Sequence, residues 1–326
     1  MKIAVVGCGA VGSYYGAKLC RAGQDVSFLL RSDYETVRRN GVKVLSPEGD
    51  FQAQPHCVRR PDEIGPVDLV LIGLKTTAND QFEDLLPPLV VKSTAVLTLQ
   101  NGLGNEEALA RLFPTEQVLG GLCFVCLNRI EPGVIRHTEY GSIVIGEFQR
   151  SPQPRTHDIA SRFRNAGVAC KVSENLAQAH WEKLVWNIPF NGLGVAGVAG
   201  YEAFQTPTNP ASTGRSVTAN APTLTTDKLL GDPRWEPLVL ELMLEVIRAA
   251  TALGFSIPEN LADRQIERTR TMGTYKASTL IDFEQGRPLE LESLFSEPLR
   301  RAQSVGVTAP RLERLCAILQ EIRSER

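Results

Sequence analysis

The first sixteen residues, MKIAVVGCGAVGSYYG, constrain the fold more than any other part of this chain. Residues 2–6 form a short apolar, β-branched run, and Gly7-x-Gly9-x-x-Gly12 follows at once, before residues that favour a helix. This order predicts a strand, a tight turn and a helix start, in which Gly7 permits the turn, Gly9 admits a pyrophosphate and Gly12 allows close packing. The anion would lie on free N–H groups at the helix N-terminus. The predicted contacts are the turn residues Gly7, Cys8, Gly9, Ala10, Val11 and Gly12. The alternative is a glycine-rich turn without a ligand.

Arg31 is the next informative position, because it stands at the tip of the second predicted strand, residues 25–30. An NAD site usually has an Asp or Glu there, which binds the ribose 2′-hydroxyl. The planar fork of an arginine suits a 2′-phosphate instead. We therefore expect NADP(H) as cofactor, with NADPH preferred over NADH. Asp33, two residues further on, is a competing carboxylate, and a solvated surface arginine is the alternative interpretation.

The chain has 326 residues, which favours two domains, and 43% of them are hydrophobic. A formal net charge of -2 argues against nucleic acid as a partner, since such proteins normally carry a basic face. No apolar run is long enough for a membrane span, and the first strand begins too early for a signal peptide. We expect a soluble, cytoplasmic protein.

The seven cysteines have no framework spacing. Cys8, Cys20, Cys57 and Cys316 are expected to be small buried hydrophobes in a reducing compartment. Cys123-Phe-Val-Cys126 lies in an apolar stretch that reads as a strand, where residues three apart face opposite sides. No second pair completes a zinc site, and the four histidines show no ligand spacing. We expect no metal.

Strand and helix patterns alternate through the first hundred residues, which predicts a doubly wound sheet. Residues 67–74 and 94–99 read as buried strands, with a helix between them that ends near Pro87. Shorter antiparallel strands, a helix and a last strand are expected over residues 118–127, 133–137, 142–146, 156–166 and 168–172.

From residue 173 onward the pattern becomes helical, with apolar residues three and four apart. The predicted fold is therefore α/β, with a Rossmann-type domain over residues 1–173 and a mostly α-helical domain over residues 174–326. Clear helices are expected at residues 238–253, 289–305 and 310–322. Residues 204–234 are rich in Thr, Pro, Asn and Gly and predict a long loop or lid.

Two further polar segments directly follow predicted strands. Lys75 comes after the first of the buried strands, and Asn101-Gly102 after the second. Ligands of open α/β sheets lie beyond the carboxyl ends of the strands, so both segments should meet the glycine turn. The alternatives are a solvated lysine and an ordinary tight turn.

Lys183, Asn187 and Asn191 are four residues apart at the start of the helical half. On a helix they share one face, and an ammonium with two amides in an otherwise apolar helix is costly unless something binds them. They are donors suited to a carboxylate and a carbonyl oxygen. Pro189 is expected to interrupt and kink this helix. A solvated polar stripe is the alternative.

A second polar cluster contains Ser278, Asp282 and Glu290. Ser278 and Asp282 would share a helical face, and Glu290 would begin the next helix. From spacing alone, helix caps and first-turn acids are the simpler interpretation.

Taken together, these segments resemble the ketopantoate reductase (2-dehydropantoate 2-reductase) family. The matching motifs are, in chain order, Gly7-x-Gly9-x-x-Gly12 with Arg31, Lys75, Leu99-Gln-Asn-Gly-Leu-Gly104, Gly133-x-Ile135-x-His137-Thr, Ile145-Gly-Glu147, Lys183-x-x-x-Asn187-x-x-x-Asn191, and Ser278-x-x-x-Asp282 followed by Glu290. The resemblance implies a Rossmann domain and a helical domain with the active site between them. It also implies NADPH-dependent reduction of ketopantoate to pantoate, a step toward pantothenate and coenzyme A.

The same resemblance implies a role for each candidate residue. Lys183 would be the general acid that protonates the keto oxygen, with Glu290 near the same centre. Asn187, Asn191 and Ser278 would hold the substrate carboxylate and hydroxyl. Asn101 would contact both cofactor and substrate, while Arg31 and Lys75 would bind the cofactor.

Two departures from the family pattern leave the identity of the 2-oxo acid open. Residues 192–200 are unusually glycine-rich, and the segment 204–234 is longer than expected. The alternatives are therefore a relative that reduces another 2-oxo acid, and a non-catalytic protein that senses NADP(H). Both a monomer and a homodimer are compatible with the sequence.

Overall fold

The computed structural model describes residues 1–205 and 221–325. The chain divides into two compact units, Met1–Ala177 and Gln178–Arg326. The division falls inside a helix, four residues beyond the boundary that we predicted from the change in sequence pattern.

The first unit alternates strands and helices, as the periodicity predicts. Its elements are β1 (Lys2–Val6), α1 (Ala10–Arg21), β2 (Asp25–Leu29), α2 (Tyr34–Asn40), β3 (Val42–Leu45), β4 (Phe51–Ala53), β5 (His56–Val58), β6 (Leu69–Ile72), α3 (Phe82–Leu85), β7 (Ala95–Thr98), α4 (Asn105–Ala110), β8 (Val118–Glu131), β9 (Val134–Glu147), α5 (Pro154–Asn165) and β10 (Cys170–Val172).

The strands of this unit form one mixed sheet in the order β4-β3-β9-β8-β7-β6-β1-β2-β5, with β10 paired to β9. From β8 to β5 the neighbouring strands run parallel. The chain places β2 on one side of β1 and β6 on the other, so the connection reverses direction beside β1. In open sheets such a reversal opens a crevice at the carboxyl ends of the strands.

Both faces of the central strands are buried, which explains their near-continuous apolar sequence. Ile3 and Val5 of β1 belong to the core on one face, and Ala4 and Val6 to the core on the other. Burial of each large apolar side chain stabilises the fold by about 1.5–3 kcal/mol. Helix α1 packs so closely on one face that a Cβ at Gly16 would lie 2.5 Å from the Phe28 ring.

Three short antiparallel strands were expected after β7, and the antiparallel pairing is confirmed, whereas the number and length of the strands were wrong. Two long antiparallel strands, β8 and β9, replace them. The turn between them contains Gly133, whose φ is 73°. Where the polar sequence predicted further turns, the two strands continue and are interrupted only by bulges. The helix expected between β6 and β7 is only α3, flanked by 3-10 turns at Thr76–Gln81 and Pro87–Leu89. Proline at the second turn removes the N–H groups that a longer helix would need.

The second unit is helical, as predicted. Its elements are α6 (Leu176–Ala196, which begins in the first unit), α7 (Thr226–Gly231), α8 (Trp235–Ala252), α9 (Leu261–Arg270), α10 (Ser278–Glu284), α11 (Glu297–Ser304) and α12 (Pro310–Ser324). In the described part of the chain no helix is long and apolar enough to cross a membrane.

Helix α6 continues through Pro189, so the expected interruption is absent. The lost hydrogen bond is offset by burial on both sides of the proline, where the Trp186 and Phe190 rings lie 4.9 Å apart.

The segment 204–234 is not one long loop. A 3-10 turn covers Tyr201–Phe204, α7 covers Thr226–Gly231, and residues 206–220 lie outside the described residues. The buried side chains Leu229 and Leu230 anchor α7, a short apolar pair that the polar composition around it concealed.

The single helix expected over residues 289–305 is divided. A π-helical turn covers Glu292–Ser296 before α11 begins. Pro298 in α11 has no N–H to donate to the preceding turn, so a wider turn at this point is physically reasonable. Such turns often occur at functional sites.

Candidate functional site

Four sequence-predicted segments of the first unit follow four neighbouring parallel strands. In the registers of β7, β6, β1 and β2, Thr98 pairs with Ile72, Ile72 with Val6, and Val6 with Leu29. The residues that follow these four ends therefore lie along one edge of the sheet. They are, in spatial order, Asn101, Lys75, the glycine turn and Arg31.

The glycine turn has the geometry of a pyrophosphate cradle. Gly7 has φ 94°, and a Cβ there would lie 2.2 Å from the backbone nitrogen of Leu74. A Cβ at Gly12 would lie 2.2 Å from the Gly7 carbonyl oxygen, whereas one at Gly9 would meet nothing within 4 Å. Gly7 and Gly12 are thus required by packing inside the protein, and Gly9 leaves open space for a ligand.

The start of α1 offers unpaired donors to an anion. Its N-cap Gly9 makes no side-chain cap hydrogen bond, and its first turn carries no acidic residue. The first N–H groups of a helix have no partner inside the helix, so they can bind a phosphate oxygen. Burial raises the pKa of the neighbouring Cys8 thiol well above its ordinary value, which keeps this side chain uncharged beside the cradle.

A chain of hydrogen-bonded amides, buried or half-buried, lies behind Asn101, and the sequence pattern did not predict it. The Thr98 hydroxyl donates to Gln100 at 2.9 Å, and the Gln100 amide donates to Asn79 at 2.7 Å. Asn79 donates to Asn105 at 3.0 Å, and Asn105 donates to the Asn101 carbonyl oxygen at 3.1 Å. These bonds fix the backbone at Asn101. The only local signal was the run of polar residues directly after a buried strand.

Arg31 is exposed at the tip of β2, while the competing carboxylate is engaged elsewhere. Asp33 is only 6% exposed and forms an ion pair with Arg129 of β8. The structure therefore leaves a cation, and not a free carboxylate, at the position that distinguishes the two dinucleotides.

In the second unit, Lys183, Asn187 and Asn191 lie along α6 as predicted. Lys183 is half-buried, and the two asparagines are 6% and 2% exposed. Their burial excludes the alternative of a solvated polar stripe. Buried amides are retained only where they find hydrogen-bond partners.

The structure brings Asn191 and Ser278 together. The Asn191 side-chain oxygen accepts a hydrogen bond from the Ser278 hydroxyl at 3.2 Å and from the Thr279 N–H at 3.0 Å. Asn191 thus caps the first turn of α10 from 88 residues away in sequence. This contact fixes two of the predicted substrate ligands relative to each other.

Glu290 is buried, at 5% exposure, immediately before the helical turn that leads into the π-helical segment. Asp282 is also buried and forms an ion pair with Arg287 at 3.3 Å. Asp282 therefore has a structural partner, Arg287, in the loop that leads to Glu290.

The glycine-rich segment 192–200 packs against other parts of the second unit. A Cβ at Gly192 would lie 2.5 Å from Leu315, and one at Gly197 would lie 2.6 Å from Leu224. The Leu224 N–H also donates to the Gly194 carbonyl oxygen at 3.0 Å. Close packing thus explains these glycines without a ligand.

Metal chemistry has no support in the described residues. Across residues 1–205 and 221–325, no group of three His, Cys, Asp or Glu side chains could hold a metal ion. All seven cysteines lie in the described part of the chain, and none of them forms a disulfide bond. We placed Cys123 and Cys126 on opposite faces because side chains alternate along a strand, but a register shift beside Phe124 interrupts that alternation between them. Cys316 is buried as expected, whereas Cys8, Cys20 and Cys57 are half-buried and pack against the edge of the core.

The first unit has a glycine cradle at the carboxyl ends of parallel strands, and the second carries two buried amides and a half-buried lysine on one helix. These features define a two-unit dehydrogenase of the Rossmann type. Comparison with known proteins gives the family. Residues 3–150 match the family Ketopantoate reductase PanE/ApbA, and residues 211–323 match Ketopantoate reductase PanE/ApbA C terminal. The chain belongs to the ketopantoate reductase family.

Relatives match over nearly the full length. A 2-dehydropantoate 2-reductase of Nostoc sp. is 39% identical over 95% of this chain and 92% of its own. The crystal structure of 2-dehydropantoate 2-reductase from Geobacter metallireducens has a TM-score of 0.87 and 45% identity, with 99% of this chain and 100% of that chain covered. The corresponding structure from Methylococcus capsulatus has a TM-score of 0.86 and 31% identity, with 100% and 97% covered.

Proposed function

We propose that this protein reduces 2-dehydropantoate (ketopantoate) to pantoate with NADPH, as a step toward pantothenate. One observation carries the proposal: full-length similarity to reductases of that name coincides with two buried amides, Asn187 and Asn191, on the same helix as the half-buried Lys183. The reaction transfers a hydride to the carbonyl carbon and a proton to the carbonyl oxygen, and yields a hydroxy acid and NADP⁺.

The residues of the first unit fit a dinucleotide. Its cradle is formed by Gly7, Cys8, Gly9, Ala10, Val11 and Gly12. When bound, the nicotinamide would supply the hydride. Arg31 would bind the 2′-phosphate through two parallel hydrogen bonds, which a charged fork can make and an ammonium cannot. Lys75 and Asn101 follow adjacent strands and would contact the nicotinamide half of the same cofactor.

The residues of the second unit fit the substrate. Lys183 would donate the proton to the keto oxygen, and general acid catalysis of this kind accelerates a reaction by about 10²–10⁴-fold. Glu290 would orient the lysine or the substrate hydroxyl. Asn187, Asn191 and Ser278 would bind the carboxylate and hydroxyl. The fixed Asn191–Ser278 pair supports this role, because preorganised polar groups bind without a further cost in ordering.

We further propose that the protein works in the cytoplasm. The seven cysteines, all in the described residues, support this, because none of them forms a disulfide bond, as is usual in a reducing compartment.

The test is oxidation of NADPH by purified protein, followed by the absorbance of the reduced nicotinamide, with ketopantoate beside a small panel of other 2-oxo acids. We expect the highest kcat/KM with ketopantoate. Activity confined to another 2-oxo acid would keep the chemistry and overturn the substrate. Binding of NADPH without turnover on any acid would contradict the enzymatic proposal and favour a sensor.

A further inference from the structure

Asp33 is held by more donors than a surface carboxylate normally finds. The Arg129 guanidinium donates to both of its oxygens, at 2.8 Å from Nε and 2.5 Å from Nη2. The Gly133 N–H adds a bond at 3.3 Å, and the Ser32 hydroxyl adds one at 2.9 Å. Both oxygens are therefore occupied by groups of the protein itself.

Each residue of this pair stabilises the charged form of the other. Burial alone would raise the pKa of Asp33, but the hydrogen bonds and charge of Arg129 outweigh it and the pKa lies below its ordinary value. The same hydrogen bond raises the pKa of Arg129 above its ordinary value. Asp33 is thus a permanent carboxylate whose charge is directed toward Arg129. A bidentate pair of this kind also fixes orientation.

The position of Asp33 gives the pair a consequence for cofactor choice. It lies two residues beyond Arg31, where the backbone leaves β2 and enters α2. A free carboxylate near this strand end accepts hydrogen bonds from the ribose 2′-hydroxyl of NADH and repels the 2′-phosphate of NADPH. Arg129, 96 residues away in sequence, donates to both oxygens of Asp33, so this carboxylate is already engaged.

We propose that the Arg129–Asp33 pair is a positioning element that sets the preference for NADPH. It acts through another residue: Arg129 restrains Asp33, and the exposed Arg31 of the same turn is then left to bind the 2′-phosphate. The inference rests on the proposed cofactor. It adds a residue of the β8–β9 hairpin to the strand-tip arginine as a determinant of the preference for NADPH over NADH.

The test compares the dissociation constants of NADPH and NADH, measured by titration calorimetry, across four proteins. Wild type is compared with R129Q, with R129Q/D33N and with R38Q. Arg38 is exposed and pairs with Glu35, so R38Q removes the same charge and leaves the Asp33 pair intact. A melting temperature for each variant reports any structural loss.

We expect R129Q to lower the NADPH-over-NADH affinity ratio by about tenfold, chiefly through weaker NADPH binding. Adding D33N should restore the ratio, although both variants lose stability, and R38Q should keep the wild-type ratio. Should R129Q fail to fold, R129K replaces it, because one ammonium cannot hold both oxygens. Its ratio should fall by about threefold and recover in R129K/D33N.

Two results would overturn the inference. One is an NADPH-over-NADH affinity ratio that is the same in R129Q as in wild type, or the same in R129K if only that variant folds. The other is a lowered ratio that D33N does not restore, since Asp33 would then not be the agent. Failure of the proposed cofactor has a different signature: wild-type protein would bind neither dinucleotide, and this inference would fall with it. Binding of NADPH without turnover on any 2-oxo acid would overturn the enzymatic proposal alone and leave this inference standing.

Discussion

The two units place their functional side chains by different means. In the first unit, backbone geometry places them: four parallel strands end side by side, so the residue that follows each strand lies at the same edge of the sheet. In the second unit, the side chains are placed by one helix face and by contacts between segments distant in sequence, such as the Asn191 cap on α10. The first arrangement tolerates variation away from the turns, whereas the second depends on each long-range contact.

This difference predicts where a substitution separates binding from chemistry. We expect Lys183→Ala to lower kcat by about 10²–10⁴-fold, because it removes the proposed proton donor. The NADPH dissociation constant should not change, since the cradle belongs to the first unit. Lys228→Ala, on an exposed position of α7, is the matched control and should behave as wild type. Loss of NADPH affinity in K183A would contradict this division of roles.

Within the first unit, two glycines of one motif should respond differently to a methyl group. Gly12→Ala should destabilise the protein by about 1–3 kcal/mol, since the new Cβ would overlap the Gly7 carbonyl. Gly9→Ala should fold with a free energy of unfolding within roughly 0.5 kcal/mol of wild type.

The Gly9 methyl group would instead occupy the ligand's space, and NADPH affinity should fall by about tenfold or more. Urea unfolding and nucleotide titration on both variants check this pair. Normal NADPH affinity in G9A would show that no pyrophosphate approaches this turn.

Arg31→Ala should lower the preference for NADPH over NADH by about ten- to a hundred-fold, the value of a charge-assisted hydrogen bond. Steady-state kinetics with each cofactor measures the effect. Arg39→Ala, exposed on α2, is the control. Equal losses with both cofactors in R31A would remove Arg31 from the 2′ site.

Asn191→Ala tests the long-range contact of the second unit. It removes the acceptor of the Thr279 N–H, and Thr279 is only 3% exposed. We expect a loss of about 1–3 kcal/mol in the free energy of unfolding, with a raised KM for the substrate. Ser278→Ala removes a donor from the same acceptor at a half-buried position and should cost less. A fully stable N191A would show that this cap contributes nothing.

The smallest expected effect concerns acid stability. Burial alone would raise the pKa of Glu147, but hydrogen bonds from Arg155, Thr156 and Arg150 outweigh it and the pKa lies below its ordinary value. Glu147 therefore stabilises the fold above the ordinary carboxyl pKa, and this contribution is lost as the pH falls through the lowered value.

Urea midpoints measured from neutral to acidic pH should decline less steeply in Glu147→Gln than in wild type. E147Q is expected to start from a lower stability at neutral pH, because it loses the charged partner of two arginines. Parallel declines in the two proteins would assign acid sensitivity to other carboxyls.

The sequence predicted the parts that are local. Gly7, Gly12 and Arg31 were identifiable because a turn and a strand tip are built from adjacent residues. Asn79 and Asn105 were missed because their hydrogen bonds join separate loops. The Asp33–Arg129 pair could not be foreseen either, because it joins residues far apart in sequence through the β8–β9 hairpin. The length of that hairpin depends on bulges, which interrupt the alternation that a strand prediction follows.

Lys183, Asn187 and Asn191 were predicted to share a helix face, and the structure confirms that helix although Pro189 lies within it. Asn191 differs from its two neighbours on that face, because its partner Ser278 could only be found by folding the chain.

The most direct test of the account is the stoichiometry of the reaction. NADPH and ketopantoate are mixed with the protein, and pantoate is quantified by mass spectrometry beside the NADPH consumed. The account predicts one pantoate for each NADPH oxidised, and no pantoate with K183A over the same time. Oxidation of NADPH without pantoate, or wild-type pantoate formation by K183A, would contradict it.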